Sequence, residues 1–116
     1  MQTKTGRHQK WIIQPEHQEK LRVLFLKGFD ATMKSPGPAV DIFELADGTI
    51  IGAFFRADAL GAPEAQKGTW LEFVVDDPVA AATHLASLEV ARVENPDTAH
   101  AYFQAPGGPV FRLAGV

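Results

Sequence analysis

At 116 residues the chain is long enough for one hydrophobic core and too short for two independent ones, and at 46% hydrophobic and 22% charged it is composed like a globular protein. Its net charge of −3 offers no concentrated basic face for a phosphate backbone, so no nucleic-acid partner is expected. Cysteine is absent, which removes disulfides, thiolate metal sites and a thiol nucleophile and fits a cytoplasmic protein.

In chain order, Met1 to Arg7 reads as an arm, and its basic character is followed by only Trp11-Ile12-Ile13, so no signal peptide is expected. His8 to Gln14 is a strand. Pro15 suits the first turn of a helix, and Leu21, Leu24, Phe25 and Gly28 recur at helical spacing, with Gly28 ending the helix. A short strand over Asp30 to Lys34, a turn at Ser35 to Pro38 and a strand over Val40 to Leu45 lead to a hairpin turn at Ala46-Asp47-Gly48. Thr49 to Phe55 is the next strand; it is the longest apolar stretch and far too short to span a membrane.

Arg56 to Gly68 has no periodicity and contains Gly61, Pro63 and Gly68, which makes it a linker. Trp70 to Val75 is a strand, and Asp76-Asp77-Pro78 supplies a cap and a helix-starting proline. The helix reaches about Ser87 with Val79, Ala82 and Ala86 as its apolar stripe. Val90 to Val93 is a weak strand and Asn95-Pro96-Asp97 a turn. Thr98 to Gln104 and Pro109 to Leu113 form a closing hairpin about Pro106-Gly107-Gly108.

This order repeats. Asp41 to Ala53 aligns without a gap on Ala101 to Leu113, placing Phe43 on Phe103 and Gly48 on Gly108, while His8 to Gln14 aligns on Trp70 to Asp76 after a two-residue insertion. Each half reads as βαβββ. The expected fold is therefore α+β in one domain, with module one over about 8–55, a linker over 56–68 and module two over about 69–113. A ferredoxin-like chain has similar element content but leaves the two matching hairpins unexplained.

A doubled βαβββ unit ending in YFQAPGG resembles the vicinal oxygen chelate superfamily, which includes glyoxalase I, extradiol dioxygenases, fosfomycin-resistance enzymes and bleomycin-binding proteins. The segments WLEFVVDDPVAAATHLASLEV and YFQAPGGPVFRLAG carry the resemblance; the first half matches mainly by pattern. The resemblance implies a curved mixed sheet around a cavity and a homodimer. It also implies metal ligands on the first, fourth, fifth and eighth strands, which map onto His8, Gly52, Trp70 and Arg112. Only His8 among these can coordinate a metal: glycine has no side chain, the indole N–H only donates, and guanidinium is a fixed cation. No metal and no cofactor are expected.

Strand alternation then assigns faces. With Trp11, Ile13, Leu71, Phe73, Val75, Phe103, Phe111 and Leu113 in the core, the opposite faces carry His8, Lys10, Ile12, Val40, Ile42, Glu44, Ile50 and Gly52 in module one. In module two they carry Trp70, Glu72, Val74, His100, Tyr102, Gln104, Val110 and Arg112. A mixed polar and apolar set of this kind suits a small-molecule pocket. The candidate ligand contacts are His8, Lys10, Trp70, Glu72, His100, Tyr102, Gln104 and Arg112. Glu72 and Arg112 project from adjacent positions and pair, either as an ordinary surface ion pair or as a device that orients a ligand's carboxylate or amide. Trp70 is placed to stack on an aromatic ligand or to pack against another surface. His17 and His84, on helices, are expected to face solvent.

Two functional classes follow, with a third behind them. The first is a metal-free binding module for an amphipathic or aromatic small molecule. The alternative is a glyoxalase- or isomerase-type enzyme with Glu72 and either His100 or Tyr102 as acid and base. The third is a protein-interaction or regulatory module. The Ala105-Pro106-Gly107-Gly108 turn leads into a strand, so it cannot present a helix N-terminus to a phosphate.

Overall fold

Alternating apolar residues build each strand, and the computed structural model, which describes all residues Met1–Val116, shows where each face goes. In β1 (His8–Ile13) Trp11 and Ile13 are buried while His8, Lys10 and Ile12 are exposed. A single turn of 3-10 helix (Pro15–His17), α1 (Gln18–Val23) and a π turn (Leu24–Gly28) follow, then β2 (Thr32–Gly37), β3 (Val40–Glu44) and β4 (Ile50–Phe55). After the short α2 (Ala62–Ala65) come β5 (Trp70–Val75), α3 (Pro78–Ser87), β6 (Ala91–Val93), β7 (Ala101–Gln104) and β8 (Val110–Gly115).

The strands form two four-stranded mixed sheets, ordered β1-β4-β3-β2 and β5-β8-β7-β6. In each, the first and last strands of the module pair in parallel and the rest are antiparallel. The fold is the expected α+β arrangement of two βαβββ modules.

The repeat extends to individual hydrogen bonds. His8 pairs with Ile50 as Trp70 pairs with Val110, and Asp41 with Ala53 as Ala101 pairs with Leu113. In the first hairpin Gly48 N–H donates to Leu45 and Leu45 N–H to Thr49; in the second Gly108 donates to Ala105 and Ala105 to Pro109. The left-handed residue differs, being Gly48 in one turn and Gly107 in the other.

One core serves both modules. Phe25 stacks on Phe43 at 4.4 Å within module one, and Phe29 reaches across to Phe73 at 4.7 Å and Phe111 at 5.5 Å. Phe25, Phe43, Phe103 and Phe111 are fully buried, each such side chain contributing roughly 1.5–3 kcal/mol. The helices thus lie between the two sheets' packed faces, and the opposite face of each sheet is left outward.

Several local expectations are corrected. The first helix is not one uniform helix: Phe29 N–H donates to Leu24 and Ala31 N–H to Phe25, whereas in the second module Val90 N–H donates to the equivalent Leu85. Module one thus carries one extra residue in its last turn, which the π turn absorbs without moving the helix before it. The helical segment ends at Gly28 as expected, although the left-handed residue is Asp30 at φ 53°. Gly28 also sits at a close contact, since a Cβ there would come 2.8 Å from Leu85 Cδ2.

The second strand runs through Ser35 and Pro36 to Gly37 instead of turning at Ser35, because it is an edge strand with a register shift between Lys34 and Gly37. The segment read as linker contains α2. In α3, Val79 is 79% exposed and Ala86 is also outward; the packed stripe is Pro78, Ala81, Ala82 and the buried Leu85. Asp77 caps this helix as expected, accepting from Ala80 N–H at 3.1 Å.

His17 and His84 are not simply solvent-facing. His84 Nε2 donates to the Lys27 carbonyl at 2.7 Å, and the His17 ring lies against Gly107, so both histidines tie one module to the other. No helix is long and apolar enough to cross a membrane.

Candidate functional site

Strand register alone arranges the outward face of the second sheet. Trp70, Val110 and Gln104 form one row across β5, β8 and β7, and Glu72, Arg112 and Tyr102 form the next. Val74 follows Glu72 on β5. Trp70 and Val74, 52% and 60% exposed, therefore flank the Glu72 carboxylate on the open edge strand.

Within this grid Arg112 is the hub. Its Nε donates to Glu72 Oε2 at 2.7 Å, and its guanidinium carbon lies 4.9 Å from the centroid of the Trp70 ring. Its Nη1 reaches Asp97 Oδ2 at 3.3 Å and, at a longer 3.4 Å, the Tyr102 hydroxyl. Trp70 also meets Tyr102 edge-on at 6.1 Å. Hydrogen bonds with Tyr102 and Glu72 hold the Arg112 guanidinium even more firmly protonated than usual.

Asp97, in the turn before β7, gathers the rest. Its Oδ2 accepts from the Tyr102 hydroxyl at 2.9 Å and lies 2.7 Å from His100 Nδ1, while its Oδ1 accepts from the Ala99 N–H. The Tyr102 hydroxyl above all, with His100 and Ala99, holds the Asp97 carboxyl below the usual carboxylate range. An ionised carboxylate only accepts, so His100 carries a proton on Nδ1, and in the neutral ring Nε2 is then an acceptor. His100 itself lies just before β7, not on the strand, because the observed strand begins at Ala101.

Comparison with solved structures places this geometry among known folds. FosX, the genomically encoded fosfomycin resistance protein from Listeria monocytogenes, aligns with a TM-score of 0.76 at 18% identity, over 100% of this chain and 93% of that one. A glyoxalase/dioxygenase from Nostoc punctiforme aligns with a TM-score of 0.73 at 20% identity, over 97% and 90%. The chain has the vicinal oxygen chelate fold. A possible glyoxalase from Bacillus cereus is similar over 96% of this chain and 98% of its own, with a TM-score of 0.73 at 18% identity. No protein-family model and no curated protein matches the sequence.

The vicinal oxygen chelate fold raises the question of a metal, and the donor set answers it. At the four strand positions stand His8, Gly52, Trp70 and Arg112; a Cβ at Gly52 would already come 3.1 Å from Phe54 Cε1, and Arg112 brings a fixed positive charge. No group of three or more His, Asp or Glu side chains is arranged to hold an ion. These residues do not fit a divalent metal.

Of the eight residues expected to line a site, the structure brings five together: Trp70, Glu72, His100, Tyr102 and Arg112. Gln104 shares their face but is buried and engaged elsewhere, donating to Ala62 O at 2.7 Å and Gly108 O at 3.1 Å and accepting from Gln66 at 2.8 Å. His8 and Lys10 lie on the outward face of the first sheet, where Lys10 Nζ sits 4.6 Å from the Phe54 ring centroid. Nothing joins them to the second-sheet network. The residue missed from sequence is Asp97, which reads there as part of a turn.

On the outward face of the second sheet Tyr102, Gln104 and Val110 are buried, while Trp70 and Val74 are exposed. Clefts also lie between the modules, one of about 380 Å³ between α1 and the β7–β8 turn and one of about 760 Å³ between the β3–β4 turn and β5. Glu72 and Val74 reach the rim of the larger one.

Proposed function

We propose that the protein is a metal-free binding module for an amphipathic or aromatic small molecule, held on the outward face of the second sheet. The half-exposed Trp70 ring, backed by Arg112 and set beside Glu72, carries this reading. A flat ring that is already positioned loses little conformational entropy when a ligand stacks on it. Arg112 and Tyr102 act as the rigid floor, since Asp97 holds both and Glu72 holds Arg112; Glu72 and His100 supply polar contacts at the rim. We further propose a homodimer, which would cover the apolar Ile12 that the outward face of the first sheet exposes and leave Trp70 free.

Native mass spectrometry before and after a chelator tests both parts. The expected spectrum is a dimer with no strippable divalent ion. A stoichiometric metal that the chelator removes would overturn the metal-free reading, and a monomer at all concentrations would overturn the dimer.

The Asp97–His100 contact favours one second reading, an acid–base enzyme in which His100 Nε2 takes a substrate proton. Of the other two candidates for acid–base work, Tyr102 is 4% exposed with its proton committed to Asp97, and Glu72 is committed to Arg112. His100→Gln would then abolish turnover of a ketone or epoxide while leaving its binding intact. Turnover that survives this substitution excludes His100 as the base, and no turnover by the unsubstituted protein excludes the enzyme reading.

A further inference from the structure

The Glu72–Arg112 pair taken alone is neutral and gives no preference for a ligand's charge. The full network does. Asp97 adds a second carboxylate to the same guanidinium, and its three side-chain donors plus the Ala99 N–H keep it ionised. Two carboxylates against one guanidinium leave one negative charge uncompensated while His100 is neutral. No other cation on this sheet makes up the difference, because Arg92 on the edge strand lies over the Phe103 ring at 5.3 Å, on the packed face.

Hydrogen-bonding capacity does not reverse this. Glu72 Oε1 and His100 Nε2 are acceptors with no partner, while Arg112 Nη2 and the Trp70 N–H are donors with none. Donors and acceptors are balanced, so charge decides. The aromatic ring points the same way, since an electron-rich indole face attracts cations and repels carboxylates.

Resting on the binding reading above, we infer that the ligand is a small aromatic cation, its ring against Trp70 and its protonated amine or guanidinium beside Glu72. A carboxylate ligand is the disfavoured case, because it would meet Glu72 and Asp97 before it reached a guanidinium that those two already hold.

Three probes with one ring and different charges test this on the full chain: phenethylamine, phenethyl alcohol and hydrocinnamate, followed by tryptophan fluorescence and by shifts of the Trp70 indole N–H resonance. The amine is expected to bind about threefold to tenfold more tightly than the alcohol, a range set by partly exposed charge and cation–π contacts, with hydrocinnamate the weakest. Glu72→Gln is expected to abolish the amine's advantage over the alcohol. Equal affinities, or a preference for hydrocinnamate, would overturn the cation inference and leave the site standing. Failure of all three to bind, or binding unaffected by Trp70→Ala, would overturn the site itself and the inference with it.

Discussion

His100 Nδ1 lies 2.7 Å from Asp97 Oδ2, and the same oxygen receives the Tyr102 hydroxyl at 2.9 Å, so one carboxylate sets both the tautomer of the histidine and the direction of the phenol. Asp97→Asn keeps the size of the side chain but removes the charge and sets an amide against three donors. The expected result is a folded protein in which the His100 tautomer is no longer fixed, seen as a change in its ring nitrogen resonances. Ligand affinity should fall about tenfold with the loss of one charge-assisted acceptor. Unchanged ring nitrogens would show that Asp97 does not set the tautomer.

A second ion pair supports the fold instead of the site. Asp41 is fully buried on β3 and accepts from Arg22 Nε at 2.7 Å and Nη2 at 3.0 Å, with Gln18 adding a longer bond. Burial alone would raise the Asp41 carboxyl, but the hydrogen bonds from Arg22, Gln18 and Ser35 outweigh it and hold it below the usual carboxylate range. Arg22→Met strands that carboxylate and should cost about 2 kcal/mol or more, measured by urea unfolding.

The same pair fixes the sign of an acid effect. A carboxyl whose folded value is depressed stabilises the protein above its ordinary value of about 4 and loses that contribution as pH falls through the folded value. Asp97 shifts in the same direction, chiefly through Tyr102. Melting temperature should therefore be level from neutral pH to about pH 5 and fall below about pH 4. In Asp41→Asn the acid-side fall should be shallower; an unchanged slope would remove Asp41 as its source.

Period-two alternation made much of this legible. It placed Trp11, Ile13, Phe73, Phe103, Phe111 and Leu113 inside, and through the repeat it set the β5–β8 register that pairs Glu72 with Arg112. What failed depended on tertiary contact. Alanines at 80, 81, 82 and 86 give α3 a weak apolar phase, so Val79 could be taken for the buried side when Leu85 defines it. His17 packs towards the neighbouring module, and His84, exposed as expected, still reaches the Lys27 carbonyl, contacts that no single helix reveals. Asp97 lies three residues before His100 and five before Tyr102, a spacing visible in the sequence, but only the turn's conformation aims its carboxylate at both.

Gly28 offers a direct test of how tightly the modules meet. A Cβ there would come 2.8 Å from Leu85 Cδ2, whereas one at Gly37 meets nothing within 4 Å. Gly28→Ala should destabilise the protein by about 1 kcal/mol, the scale of mild overpacking that a flexible leucine tip partly absorbs, and Gly37→Ala should be close to neutral. In a double-mutant cycle with Leu85→Ala the two costs should be less than additive, because the truncated side chain no longer meets the new methyl. Additive costs would place the strain elsewhere.

The two tryptophans separate site from core by their surroundings. Trp11 is 7% exposed and tilted against Phe25 at 5.5 Å, while Trp70 is half exposed on the edge strand. Acrylamide should quench one bright fraction readily and the other poorly, and Trp70→Ala should remove only the quenchable one. Because its ring is half in water and its partner Arg112 keeps Glu72 and Asp97, this substitution should cost less than about 1 kcal/mol of stability. Trp11→Ala removes a core ring and should cost about 3 kcal/mol or more. If Trp70→Ala proves as damaging as Trp11→Ala, then Trp70 holds the fold together, and a second molecule of the protein, not a ligand, is what its open face receives.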